Sequence, residues 1–326
     1  MFVPDLVLRG LARVAAPAGR DARLTVLLYH RVLPIADPLL PGEPDAVLFE
    51  SQIALLARIF NVLPLEAALS KLRRGELPER ALSITFDDGY ADNLDVAVPI
   101  LRRHGVVATF FVSTGFLDGG RMMHDTVAET VRRLPDGSID LDWVGLGHRH
   151  LSDTASRLDL TADFVGRVKY LPFSQRRDAC DRLGALSPQP LPNNLMLRSS
   201  QVPMLQAAGM EVGAHTHDHP ILGRIDLDQA REQININRET LAGLLGRAPR
   251  LFAYPNGKPG VDYAREHVEL VKKAGFDAAV SVSFGTASRD SDHFQVPRFI
   301  PWDRDPRKLA LRAVTHPLRH RTTPCS

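Results

Sequence analysis

Short runs of aliphatic, β-branched and aromatic residues alternate along this chain with longer segments whose apolar positions recur every three or four residues. The short runs predict strands at Leu24–His30, Ser83–Asp87, Val106–Val112, Met210–Ala214, Arg250–Tyr254, Phe276–Val282 and Phe294–Phe299. The longer segments predict helices over Ser51–Arg73 (broken near Pro64), Asn93–His104, Ser200–Ala208, Asp226–Leu245 and Asp262–Ala274, the last stopped by Gly275. Strands separated by helices pair in parallel through right-handed crossovers. Seven such strands predict the α/β class and a distorted, closed or nearly closed (β/α) barrel. The rhythm fails over 118–199, where Gly, Pro, Asp and Arg mix with helical fragments. This stretch reads as a long insertion after the third strand, roofing whatever site the barrel carries. The division expected is a helical segment over 1–23, the barrel over 24–303, and a basic, frayed tail over 304–326.

The chain has 326 residues, enough for a large buried core, and its 44% hydrophobic and 24% charged residues exclude disordered, collagen-like and coiled-coil classes. Its net charge of +2 argues against a nucleic acid partner, since no broad basic surface is implied. Two cysteines, Cys180 and Cys325, exclude a disulfide framework and a thiolate zinc site, and both are expected as free thiols. No stretch approaches the roughly 20 apolar residues needed to span a bilayer. Arg9 and Arg13 interrupt the N-terminal apolar run and no basic segment precedes it, so no secretion signal is read and a cytoplasmic location is expected. Phe2, Leu6, Leu11 and Val14 share a helical face. Packing on its own domain is the favoured reading of that face; weak association with the inner membrane surface is the other. Nothing in the sequence sets an oligomeric state.

Four segments carry candidate chemistry: LLYH at 27–30, TFDDGY at 85–90, HTHDHP at 215–220 and RLFAYPNG at 250–257. Each falls at the C-terminal end of a predicted strand, and in a β/α barrel those ends converge on one mouth. His215 and His219 follow a strand, and Pro220 disfavours helix at His219, so both imidazoles lie on a tight loop. His217 and Asp218, between them, are read as orienting or capping residues before ligands. His316 and His320 share the four-residue spacing but lie in the polar tail and are read as solvated. Asp87 and Asp88 are adjacent carboxylates that repel each other unless a cation offsets them. One can bind a metal with the two histidines while the other acts as a base. Two histidines and a carboxylate leave open positions for water and substrate, as catalytic zinc sites do.

TFDDGY, HTHDHP and RLFAYPNG resemble, in order, the first three motifs of the polysaccharide deacetylase family (carbohydrate esterase family four). The resemblance covers roughly Leu24 to Trp302 and is nearest to a branch acting on exopolysaccharides. It implies a distorted β/α barrel and metal-dependent hydrolysis of N-acetyl groups on the amino sugars of a glycan. The glycan is a polysaccharide, an oligosaccharide or a lipid-linked intermediate. In its terms Asp87 is the general base, and Asp88, His215 and His219 hold a divalent ion: zinc first, cobalt or nickel otherwise. Arg250 pairs with Asp87, Thr216 steadies the loop, and the Tyr254 N–H helps bind the oxyanion. The general acid is a histidine in a Leu-x-His motif, met three times here, at His30, His148 and His320. His30 is favoured because it ends the first strand. The fourth motif is reduced to Arg298, Trp302 and Asp303, with Trp302 able to wall the acetyl pocket and Asp303 to pair with Arg250. Two other readings stay open: hydrolysis of an O-acetyl ester, formamide or cyclic imide at the same site, and a non-catalytic glycan-binding module.

Overall fold

A computed structural model describes residues 4–318. Its strands are β1 (Leu24–Tyr29), β2 (Asn61–Val62), β3 (Ala81–Phe86), β4 (Thr109–Val112), β5 (Gly137–Asp140), β6 (His148–Leu151), β7 (Glu211–Ala214), β8 (Leu251–Ala253) and β9 (Ala278–Val280). The principal helices are α1 (Asp5–Ala15), α2 (Ala46–Ile59), α3 (Leu65–Arg74), α4 (Val98–Arg103), α5 (Met123–Arg133), α6 (Thr154–Val168), α7 (Phe173–Gly184), α8 (Val202–Ala207), α9 (Leu227–Leu245), α10 (Arg265–Lys273) and α11 (Pro306–Thr315).

The sheet runs β1-β3-β4-β7-β8-β9, all parallel, with β2 beside the first half of β3. This is the distorted (β/α) barrel that the strand–helix alternation predicts. Its seam is closed by 296–299. Val296 N–H donates to Ala279 O at 2.9 Å, and Phe299 N–H to Val26 O at 2.8 Å. The strand expected at Phe294–Phe299 is therefore reduced to isolated parallel bridges onto β9 and β1. Pro297 lacks an N–H and cannot continue a ladder.

Neighbouring residues on a strand point to opposite faces, and here they enter different cores. Leu27, Phe110 and Phe252 join the layer beneath the helices, while Val26, Phe111 and Ala253 join a second cluster with Leu69 and Leu72 of α3. Tyr29, Phe86 and Phe110 stack in series at 5.4 and 4.8 Å between ring centroids. Phe49 of α2 meets the first two edge-on. That helix begins where the Asp45 carboxylate accepts from Leu48 N–H at 2.8 Å.

The insertion's helical fragments are built out into a unit, while the tail and the N-terminal apolar face differ from expectation. The insertion builds α5, the β5–β6 hairpin, α6 and α7 around a core of its own that includes Val131, Leu160, Phe164 and Leu183. The tail is helical over α11, with Leu309, Ala310 and Ala313 fully buried, because its apolar positions recur at helical spacing. His316 is likewise buried, bonded to Gly285 O at 2.9 Å and stacked on Phe299, rather than solvated. His320, Cys325 and Phe2 lie outside the described residues; Cys180 is a free, buried thiol. The helix α1 does pack on α2 and α11, but through Leu8, Ala12 and Ala15. Leu6, Leu11 and Val14 face outward. Among the described residues no helix is long and apolar enough to cross a membrane.

The stacked aromatics should dominate the outer core. Phe110→Ala is expected to lower unfolding free energy by about 3–5 kcal/mol in urea titration; a loss under about 1 kcal/mol would show that the ring is not tightly packed.

Candidate metal centre and active site

Every residue of β3 is buried, so the strand delivers the two aspartates to the barrel mouth. Asp87 N–H still donates to Tyr29 O, at 3.0 Å, and extends the ladder by one residue. The chain then reverses: Asp88 holds φ +78° and Gly89 φ +88°. A Cβ on Gly89 would lie 2.9 Å from Val112 Cγ1, so the third residue of the Asp-Asp-Gly run has to be glycine. This turn sends the two carboxylates to different partners.

Asp87 meets Arg298 in a two-pronged ion pair, Nη1 to Oδ1 at 2.6 Å and Nη2 to Oδ2 at 2.7 Å. Both side chains are buried, and Arg298 Nε also donates to Ser281 O at 3.2 Å. Burial pushes the Asp87 carboxyl up, but the Arg298 guanidinium and His215 outweigh it and hold the group below the usual carboxylate range. Arg250, expected to do this, does not reach Asp87. It precedes β8, at the far end of that strand from the mouth, and pairs on the surface with Glu66 at 2.5 Å and with Asp277. Asp303 pairs with Arg312 at 3.0 Å and not with Arg250, and Trp302 is two-thirds exposed.

Asp88 turns to the histidines. Its Oδ1 lies 3.4 Å from His215 Nε2 and 3.5 Å from His219 Nε2, and it is buried with no hydrogen-bond donor on it. His215 Nδ1 donates to Ala253 O at 2.7 Å, since a carbonyl oxygen only accepts. The other nitrogen, Nε2, therefore faces the carboxylates. Burial lowers His215, and Asp87 and Asp88 more than offset it, leaving it raised. Burial takes His219 down to about 3 despite Asp88. Burial would raise Asp88, and the imidazoles hold it well below the usual range. Asp87 is taken by Arg298, so the cluster presents one carboxylate, that of Asp88, and two imidazole nitrogens to a common point. Ligand bonds of about 2.05 Å at tetrahedral angles place donor atoms about 3.3 Å apart, close to the spacings here. The residues present fit a divalent ion.

The loop is held from below. Asn237 of α9 accepts His215 N–H at 3.2 Å and donates to Val112 O at 2.9 Å and Thr216 O at 2.6 Å. Gln233, one turn earlier, binds Asp218 through both backbone and side chain, and His217 Nδ1 meets Thr114 Oγ1 at 3.0 Å. His217 and Asp218 thus fix the loop. Thr216 steadies it through its own Oγ1, which donates to His215 O at 2.6 Å.

His30 follows β1 directly. Its carbonyl accepts from Asn93 Nδ2 at 2.8 Å, and its imidazole is near enough to lower both aspartates. His148 sits on the exposed hairpin with Asp140 and Asp142, a second grouping whose ligand atoms can meet. The Tyr254 N–H, expected to hold an oxyanion, donates to Val280 O at 3.2 Å in the sheet, and its ring stacks on Tyr263 at 3.9 Å. Below the mouth, Arg31 pairs with Asp92 at 2.8 Å and lies over the Tyr90 ring. The Tyr90 hydroxyl joins Asp125 at 3.0 Å and His124 at 2.7 Å. Burial pushes Asp92 up to about 6.

The sequence profile of polysaccharide deacetylases matches residues 74–171 and 189–279, more than half of the chain. The chain belongs to the polysaccharide deacetylase family. YxkH of Bacillus subtilis (strain 168), which carries the family name, is 20% identical over 281 residues, 86% of this chain and 71% of its own. Among solved structures, IcaB from Ammonifex degensii aligns over 92% of this chain and 98% of its own at 20% identity and TM-score 0.56. The Streptococcus pyogenes deacetylase PplD, in complex with acetate, aligns over 86% and 92% at 17% identity and TM-score 0.56.

The profile ends before Arg298, which sequence reasoning left without a role. Arg298 is the charged residue at the centre of VPRFIP, a run otherwise apolar, and a cation there is a cation inside the barrel. Gln233 and Asn237 are polar positions one turn apart on the inner face of α9. His124 and Arg176 lie in the insertion and carried no motif. Arg298→Met should cost about 3–5 kcal/mol in urea unfolding by leaving Asp87 buried and unpaired, whereas Arg250→Ala, breaking only surface pairs, should cost under about 1 kcal/mol. The reverse order would show that Arg298 is not the partner on which Asp87 depends.

Proposed function

We propose that this polysaccharide deacetylase is a metal-dependent amidase that removes N-acetyl groups from the amino sugars of a glycan, in the manner of the exopolysaccharide branch. The observation that carries the reading is the division of labour between adjacent aspartates. One is held ionised by Arg298, and the other faces two histidines, His215 oriented by Ala253 O, with an unused oxygen. A module that only binds glycan has no need of the first. The acetate in the PplD structure, the product expected here, agrees with this reading.

Asp88, His215 and His219 would hold a divalent ion, zinc by the nature of the donors, which supplies Lewis acidity and lowers the pKa of water to about 7. Asp87 accepts the proton of the attacking water as its oxygen adds to the acetyl carbonyl. Arg298 keeps that carboxylate aimed and ionised. His30, at the end of β1, protonates the nitrogen as the C–N bond breaks, releasing acetate and a free amino sugar. A positioned acid or base of this kind contributes about 10²–10⁴-fold.

The test is acetate release from N-acetylated oligosaccharides by the full-length protein. Chelation should abolish it, and zinc or cobalt should restore it. Asp87→Asn should lower kcat at least about 10²-fold while zinc binding by calorimetry persists. A drop under tenfold would remove Asp87 as the base, and full activity after chelation would remove the metal. Release of acetate from esters alone would move the substrate to O-acetyl groups.

A further inference from the structure

Two arginines near this mouth, the buried Arg298 and the partly buried Arg31, have carboxylate partners: Arg298 has Asp87, and Arg31 has Asp92. The third, Arg176 of α7, does not. It is 92% buried by its 8% exposure, donates to His219 O at 3.3 Å and lies over the Phe173 ring at 5.2 Å. Burial lowers its pKa, countered only by the neighbouring Cys180 thiol, and among the described residues no carboxylate lies within ion-pair distance of it. A buried charge is ordinarily paired, so Arg176 lacks its counter-ion.

Arg176 lines a cavity of about 390 Å³ between the insertion and the 215–220 loop, and His219 and Asn256 line the same cavity. Arg121, Lys169 and Arg177 add three more cations to its wall. Among the described residues no carboxylate lies within ion-pair distance of any of the four, although Asp262 is near enough to Lys169 to counter part of its burial. Arg121 donates to Pro192 O at 3.0 Å, and its Nε is buried with no acceptor. Two acids also line the space. Asp218 is already engaged by Gln233, and Asp181 is exposed. A chain whose charges nearly balance has thus gathered unpaired cations beside its candidate metal ligands.

We propose that this cavity receives an anionic group of the substrate, a phosphate or a carboxylate on the sugar that presents the acetyl group, with Arg176 as its principal contact. The inference deepens the deacetylase reading and rests on it for the identity of the rest of the ligand. A guanidinium offers two parallel N–H donors that match either oxyanion. The barrel strand ends would then supply the chemistry and the insertion the selectivity. The preferred substrates would be N-acetylated sugars carrying a phosphate monoester, a diphosphate linkage or a uronic carboxylate.

The test has two arms on the full-length protein. In the first, inorganic phosphate and glucuronate are titrated by calorimetry into the unsubstituted protein and into Arg176→Gln and Arg177→Ala, the second altering an exposed side chain that leaves the core untouched. Affinity for the preferred anion should fall roughly tenfold or more in Arg176→Gln and by a smaller factor in Arg177→Ala. Which anion binds separates the phosphate source from the carboxylate source. In the second, acetate release is compared between a neutral N-acetylglucosamine oligomer and N-acetylated sugars bearing a phosphate monoester, a diphosphate or a carboxylate. The charged sugar should show the higher kcat/KM, expressed in KM, with the advantage shrinking as salt is raised. Anion affinity unchanged in both variants, or equal kcat/KM for neutral and charged sugars, overturns the proposal while leaving the deacetylase reading intact. Arginine-dependent anion binding with no acetate released from any sugar does the opposite.

Discussion

Two carboxylates on consecutive residues, both buried, set the problem that the rest of this structure solves. Neither can ionise inside a protein without its own countercharge. The reversal at Asp88 and Gly89 separates them. Asp87 then faces Arg298, which arrives from the seam of the barrel, and Asp88 faces the histidines after β7. Each solution recruits a different part of the chain. Strand order, seam closure and loop anchoring all follow from keeping one negative charge permanently answered and the other available.

The seam shows how local irregularity serves this end. A regular strand over 296–299 would strengthen the barrel, yet Pro297 breaks the ladder and only isolated bridges remain. What the segment loses in pairing it returns by placing the Arg298 side chain inside, against Asp87, Ser281 O and Thr85. Backbone strain is distributed in the same way. Four of the six non-glycine residues with positive φ among those described, Asp88, Thr216, His219 and Asn256, lie at the mouth. For a β-branched residue such as Thr216 that conformation costs on the order of 1–3 kcal/mol. Here Asn237 holds it by bonding to Thr216 O and His215 N–H at once. Stability is spent at the mouth and recovered in the layer of Tyr29, Phe49, Phe86 and Phe110 beneath it.

The barrel was legible because its strands and helices differ in period, and because the TFDDGY and HTHDHP runs sit where strands end. Asp87, Asp88, His215 and His219 could be named for that reason. Arg250 was misassigned by the motif resemblance: the strand read over 250–254 already puts it at the strand's start, the end of the barrel opposite the mouth. The Tyr254 amide was invisible: whether an N–H is free depends on which carbonyl the neighbouring strand brings, here Val280. Arg298, Gln233 and Asn237 left only a faint mark, polar residues at positions whose period places them inside. The insertion hid its contribution altogether, because its helices pack on one another and not on the sheet that sets the rhythm.

That separate packing matters for how substrate selection can be built. A side chain presented by a long unstructured loop would pay the full entropy of ordering when ligand arrives. Here α7 is fixed by the insertion's own core through Cys180 and Leu183, and Arg176 projects from that rigid helix to the carbonyl of His219. The guanidinium is therefore oriented before any anion is present. The contact also ties the insertion to the very loop that carries two of the three candidate metal ligands. An anion neutralising Arg176 would change the field felt at His219 without touching Asp87, whose charge Arg298 has already answered. Selectivity and proton transfer would then be coupled through one backbone carbonyl while their charged groups stay electrostatically distinct.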